Sequence, residues 1–230
     1  MKIQDGFIVG VYQYCDRWCE QCPLTNRCRM FSSLAEIDFE DRSEPRLTRE
    51  RRRLAVQLVE FQTEAEELGE GARPKPGERL GYLPELEPSS GTDPEVVASS
   101  HDLQKKFRQL SMSANPAVRN AAESIRYFSL FVPTKMMRAL AQVAREGPGP
   151  QQSDANGSAK VAILALERMA GAWNVLIETH HVSATVAGPF LAEIAQMLRN
   201  LDRAVPNARA FVRPGFDELE EVKMLDAAKC

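Results

Sequence analysis

Apolar residues recur at intervals of three and four along most of this chain, the spacing that puts them on one face of an α-helix. After a short β-type piece over residues 1–13 (Phe7, Ile8, Val9, Val11 and Tyr12, bounded by glycines), Met30, Phe31, Leu34 and Ile37 predict a short helix. Leu54, Leu58, Phe61, Ala65 and Leu68 predict a long amphipathic helix over 46–69, ended by Gly69 and Gly71. Residues 70–95, with Pro74, Pro76, Pro84, Pro88 and Pro94, read as a linker.

Helical periodicity resumes with Val96, Val97, Leu103, Phe107 and Leu110. Asn115-Pro116 then starts a helix running to about Phe131, which Pro133 is expected to kink or break before a further helix from Thr134 to about Arg145. The most apolar segment, about Ala159 to His181, is expected at the centre of a bundle, with Ser158 as its N-cap. Gly188-Pro189 is expected to open one more helix, carrying Phe190, Ile194, Met197 and Leu201.

Residues 206–230 read as a tail, extended to Gly215 and helical from Phe216 to about Ala228. The fold class that follows is all-α. About six helices form the bundle, with 96–205 as its core and a cysteine-rich segment, 1–45, docked on it.

That N-terminal segment departs from the helical pattern because of its chemistry. Cys15, Cys19, Cys22 and Cys28 stand at C-x3-C-x2-C-x5-C, and a packed core has no use for four thiols in one short loop. They are the expected ligands of a metal centre. Structural zinc sites commonly draw on two well-separated Cys pairs. Three closely spaced cysteines on one loop suit a cubane, whose corners accept successive sulfurs, so a [4Fe–4S] cluster is favoured while zinc stays open. Four thiolates leave a net charge of −2 on either centre; Arg17, Arg27 and Arg29 are placed to offset it, and Tyr14 and Trp18 to shield the sulfurs. The fifth cysteine, Cys230, reads as an incidental thiol.

Cys19, Cys22 and Cys28 resemble the C-x2-C-x5-C ligand group of iron–sulfur nucleases related to RecB, and part of the auxiliary-cluster pattern of some radical-SAM enzymes. Cys15, Cys19 and Cys22 are similar to the C-x3-C-x2-C of the radical-SAM site itself. The resemblance implies ligand type only. The chain has no run of βα units, no strand-borne Asp with Glu-x-Lys, and Gln21 where radical-SAM loops usually carry an aromatic.

A second constellation, Glu178-Thr179-His180-His181, contains E-x-x-H, which on a helix would present Glu178 and His181 on one face, as in di-iron carboxylate bundles. Glu167 lies on nearly the same face, and Glu123 and Glu193 sit in other helical patterns. The competing reading is a helix C-terminus, where His180 and His181 meet the negative end of the dipole.

Composition narrows the setting. At 230 residues and 43% hydrophobic the chain can bury a core without help from a metal. A net charge of −3 provides no global attraction to nucleic acid or anionic membrane. The one dense basic patch, Arg46, Arg49, Arg51, Arg52 and Arg53, lacks a base-stacking aromatic ladder and reads as a solvated helix face. No signal peptide is recognised and no apolar run reaches spanning length, so a cytoplasmic location is expected, where clustered cysteines are metal ligands before they are disulfides.

The expected function is a metal-binding helical protein whose iron–sulfur centre serves electron transfer, redox sensing or stapling. A zinc-stapled interaction module is the alternative, and a di-iron oxidoreductase the weaker one. Whether it is an enzyme is left open. A protein partner is expected, nucleic acid and membrane are not.

Overall fold

In the computed structural model, residues 1–40, 105–147 and 149–218 are described. The long helix expected over 46–69 with its arginine cluster, the linker 70–95, the pattern over 96–104, the tail beyond Glu218 and Cys230 lie outside the described residues. The described chain is mostly helical, as the periodicity predicts. Among the described residues no helix is long and apolar enough to cross a membrane.

The chain divides into two compact units. One contains residues 1–40 and 212–218; the other contains 105–211. The first begins with an antiparallel hairpin, β1 (Ile3–Gln4) and β2 (Phe7–Ile8), in register Ile3 to Ile8 and Gln4 to Phe7. Its turn is Asp5-Gly6, both at positive φ (49° and 86°). That is the backbone a two-residue hairpin requires, because a turn of this hand matches the twist of the strands. Two 3-10 turns, Cys19–Gln21 and Thr25–Arg27, follow, and then helix α1 (Arg29–Glu40).

The second unit is built on three long helices, α2 (Pro116–Glu146), α3 (Asp154–Glu178) and α4 (Ala184–Ala204), with residues 105–110 helical as well. Val118, Ala122, Ile125, Phe128, Val132 and Ala139 form the buried stripe of α2. Helix α3 packs on both α2 and α4 and buries residues around much of its circumference, including Ala159, Ile163, Leu166 and Leu176. It is the central helix, as its composition implies.

Pro133 does not break α2, which runs unbroken through it for 31 residues. Proline removes one N–H and leaves the Ser129 carbonyl without its helical partner. Both Ser129 and Pro133 are exposed, so water can serve that carbonyl, while Ile125, Phe128, Val132 and Ala139 are held on the buried face on either side. Pro189 corrects a second expectation for the same reason. Helix α4 starts at Ala184, where the Ser183 hydroxyl accepts from Val186 N at 3.4 Å, and Pro189 with Thr185 faces outward inside it.

The N-cap of α3 is Ser153 rather than Ser158. Ser153 Oγ accepts from Asn156 N at 3.4 Å and from Asn156 Nδ2 at 2.9 Å, and Asn156 Nδ2 also donates to the Pro150 carbonyl at 2.8 Å. Ser158 instead sits fully buried in the first turns, its hydroxyl without a hydrogen-bond partner. The two serines therefore have opposite expected effects. Ser153→Ala should cost about 1–2 kcal/mol of helix stability, whereas Ser158→Ala, which removes an unsatisfied buried hydroxyl, should be neutral or stabilising; urea unfolding of the two variants checks the sign.

Candidate metal centre

The cysteine loop is positioned by short-range hydrogen bonds. Asp16 Oδ1 accepts from Trp18 N at 3.1 Å, and Arg17 turns the chain at φ 57°. Each 3-10 turn then delivers a cysteine at its end: Cys22 N donates to Cys19 O at 3.2 Å, and Cys28 N donates to Thr25 O at 3.3 Å. Cys28 immediately precedes α1, so its sulfur meets the free N–H groups of that helix start and accepts from Phe31 N at 3.4 Å. Cys22 Sγ accepts from Leu24 N at 3.4 Å. Cys15 Sγ donates to the Tyr12 carbonyl at 3.3 Å.

All four sulfur residues line one cavity of about 20 Å³, together with Val11, Tyr12, Trp18, Leu24 and Phe216. That is room for about one water molecule. Among the described residues no group of three or more His, Cys, Asp or Glu side chains is arranged to hold a metal ion. All four cysteines are half-buried, and no disulfide joins them.

Their electrostatics follow from that placement. Burial pushes the Cys28 thiol up to about 12; the Phe31 N–H pulls it down, and Cys15, Cys19 and Cys22 push it further up. Burial also raises Cys19, assisted by Cys22, Glu20 and Asp16 and opposed by Arg17. Cys22 is raised by burial against the Leu24 N–H, with Asp16 adding to the rise. Mutual repulsion among the thiolates is what a bound cation relieves, and a thiol must lose its proton to ligate one. Affinity for a metal should therefore fall as pH falls.

No family model, curated protein or solved structure matches the chain.

Arg17 and Trp18, named from the sequence as neighbours of the sulfurs, both line the cavity. Arg27 does otherwise. It is buried, and its Nη1 donates to the Gly6 carbonyl at 3.0 Å, tying the hairpin turn to the cysteine loop. Arg29 adds a second tie, with Nη2 at 3.3 Å from Asp5 Oδ2 and its guanidinium over the Phe7 ring. The sequence pattern identified these arginines as counter-charges; two of them act on the hairpin.

The wall contributed by residues 212–218 had no place in the sequence reading. Phe216 packs against the core of Ile8, Val11 and Leu24, which Cys22 and Cys28 also touch. Gly215, at φ 75°, is buried against Ile8 and Leu24, and the amino group of Met1 lies 3.1 Å from Glu218. Arg213-Pro214-Gly215-Phe216 carries the Pro-Gly signature of a tight turn, the one local signal that could have marked it.

The E-x-x-H pair is not realised as a helical face. Helix α3 ends at Glu178, Thr179 is its C-cap, and His180 takes the left-handed conformation (φ 58°) that closes a helix. His181 N donates to Leu176 O at 3.0 Å, and His181 Nδ1 lies 2.8 Å from the Thr179 carbonyl oxygen. Glu167 is engaged elsewhere, with its carboxylate 2.8 Å from Arg209 Nη1, a guanidinium that also binds Asp202.

Proposed function

We propose that the N-terminal unit holds a [4Fe–4S] cluster through Cys15, Cys19, Cys22 and Cys28 and serves as a one-electron carrier or redox-responsive centre. The observation that carries this reading is that four cysteines, three of them closely spaced on one loop, line a single small cavity. A cubane takes one thiolate at each of four separate corners, whereas a single zinc ion draws all its sulfurs to about 2.3 Å from one point. The donor set fits chemically: backbone N–H groups of Leu24 and Phe31 already point at two sulfurs, and Arg17 adds positive charge beside Cys19.

The guest is larger than the void, so the loop must open to admit it. Glu20, Gln21 and Pro23 are exposed on the outer side of the loop. A bound cluster supplies one-electron chemistry. Val11, Leu24 and Phe216 would exclude water from it, and Cys15, Cys19, Cys22 and Cys28 would supply its four protein donors. A cytoplasmic setting goes with this reading. Structural zinc is the second reading, favoured by the small volume of the cavity.

Protein purified without oxygen is expected to be brown, to contain iron and acid-labile sulfide in equal amounts, and to bleach on reduction. A colourless protein with one zinc per chain would select the second reading; neither metal would end both. Cys19→Ser/Cys22→Ser is expected to lose the metal and to expose residues 1–40 to amide exchange, while α2, α3 and α4 keep their helicity. Collapse of those helices as well would overturn the modular picture.

A further inference from the structure

The helical unit contains a cavity of about 630 Å³ that neither the cysteine loop nor the E-x-x-H segment uses. Its volume lies in the range of pockets that enclose small organic ligands. Residues 105–110, α2, α3 and α4 each contribute a wall. Its inner lining is aliphatic and aromatic: Ile125, Leu166, Met169 and Ile194 beside the stacked rings of Trp173 and Phe190.

The rim carries Arg108, Arg126 and Glu193, two cations against one anion. Arg108 and Arg126 are exposed, and among the described residues neither guanidinium has an ion-pair partner, nor has Glu193. Elsewhere in the same unit arginines are engaged: Arg138 with Asp154, and Arg209 with both Asp202 and Glu167. An apolar interior lined at its edge by two guanidiniums matches a molecule with an apolar body and one negative head. Guanidinium binds carboxylate with paired donors. Flexible Met169 and Met197 can adapt to a chain of many rotamers.

We propose that this cavity binds a fatty acid, its carboxylate at Arg108 and Arg126 and its acyl chain against Trp173 and Phe190.

The probe is 12-bromododecanoate, kept below micelle-forming concentration, because bromine quenches an indole it touches. Titrated into the full-length protein as purified, it should quench tryptophan fluorescence saturably, with calorimetry giving one site per chain. Trp173→Phe, which removes the one indole of the lining, should abolish the quenching. Arg108→Gln/Arg126→Gln, both at exposed positions, should weaken binding roughly tenfold or more, the loss of a charge-assisted hydrogen bond. Dodecanol should bind weakly to wild type and be indifferent to that change. Ser129→Trp, an exposed position on the lining, should block entry, with circular dichroism verifying the fold.

Absence of saturable binding would overturn the proposal, as would quenching that survives Trp173→Phe unchanged. Equal affinity of acid and alcohol, or an arginine variant that binds as wild type does, would also overturn it.

Discussion

Gly215→Ala is expected to open the cysteine unit although it touches no cysteine. The residue sits at φ 75°, and a Cβ there would lie 2.7 Å from Ile8 Cδ1 and 3.0 Å from Leu24 Cδ1. A left-handed non-glycine backbone costs about 1–2 kcal/mol, and forcing atoms into a packed core about 1–3 kcal/mol more. The sum is large for a unit whose apolar core is Ile8, Val11 and Leu24 with Phe216.

The expected result is faster amide exchange over residues 1–28 and weaker metal retention, with the midpoint of helical unfolding in the 105–211 unit unchanged. Gly10→Ala is the control. It shares the positive φ (79°), but its Cβ would meet only Pro214, at 3.8 Å, so backbone strain acts there without overpacking. Equal effects from the two substitutions would show that the clash with Ile8 and Leu24 is not what matters.

Trp173→Ala should strongly destabilise the helical unit. The ring is 2% exposed, stacks on Phe190 at a centroid distance of 4.8 Å and receives the edge of Phe107 at 5.3 Å. Removing a buried aromatic to alanine costs about 3–5 kcal/mol. Because Trp173 also borders the 630 Å³ cavity, its ring has fewer partners on that side, which places the expected loss near the lower end. Trp173→Phe, which keeps a ring to stack on Phe190, should cost distinctly less. Denaturant unfolding followed by far-ultraviolet circular dichroism gives both values; an unchanged midpoint for the alanine variant would show that the 105–110 segment and α4 are not held through this ring.

The proposal for the cysteine unit and the proposal for the cavity rest on separate residues, so failure of one leaves the other standing. Metal content reports on Cys15, Cys19, Cys22 and Cys28; quenching reports on Trp173. A metal-free protein that still binds the bromo-acid, or a metal-loaded one that does not, separates them.

Amino-acid order alone determined the helical class, the central position of α3 and the presence of four thiols in one loop, because periodicity and short-range spacing are local properties. Its errors lie where a neighbour from far along the chain decides the outcome. Pro133 and Pro189 are tolerated because the carbonyls they orphan face outward, which depends on which side of α2 and α4 is packed. Ser153 is a miss of another kind, a local one: Asn156 and Pro150, each three positions away, complete its hydrogen bonds, and Ser158 is left inside.

The cysteine unit shows the same division most clearly. Asp5-Gly6 is a hairpin turn that local signals do contain, but the wall formed by Gly215 and Phe216 is not local: Met1 and Glu218, which meet at 3.1 Å, are 217 positions apart. Thiol identity comes from the chain itself; the enclosure of those thiols comes only from tertiary closure, because burial is a property of surfaces brought together and not of any one stretch.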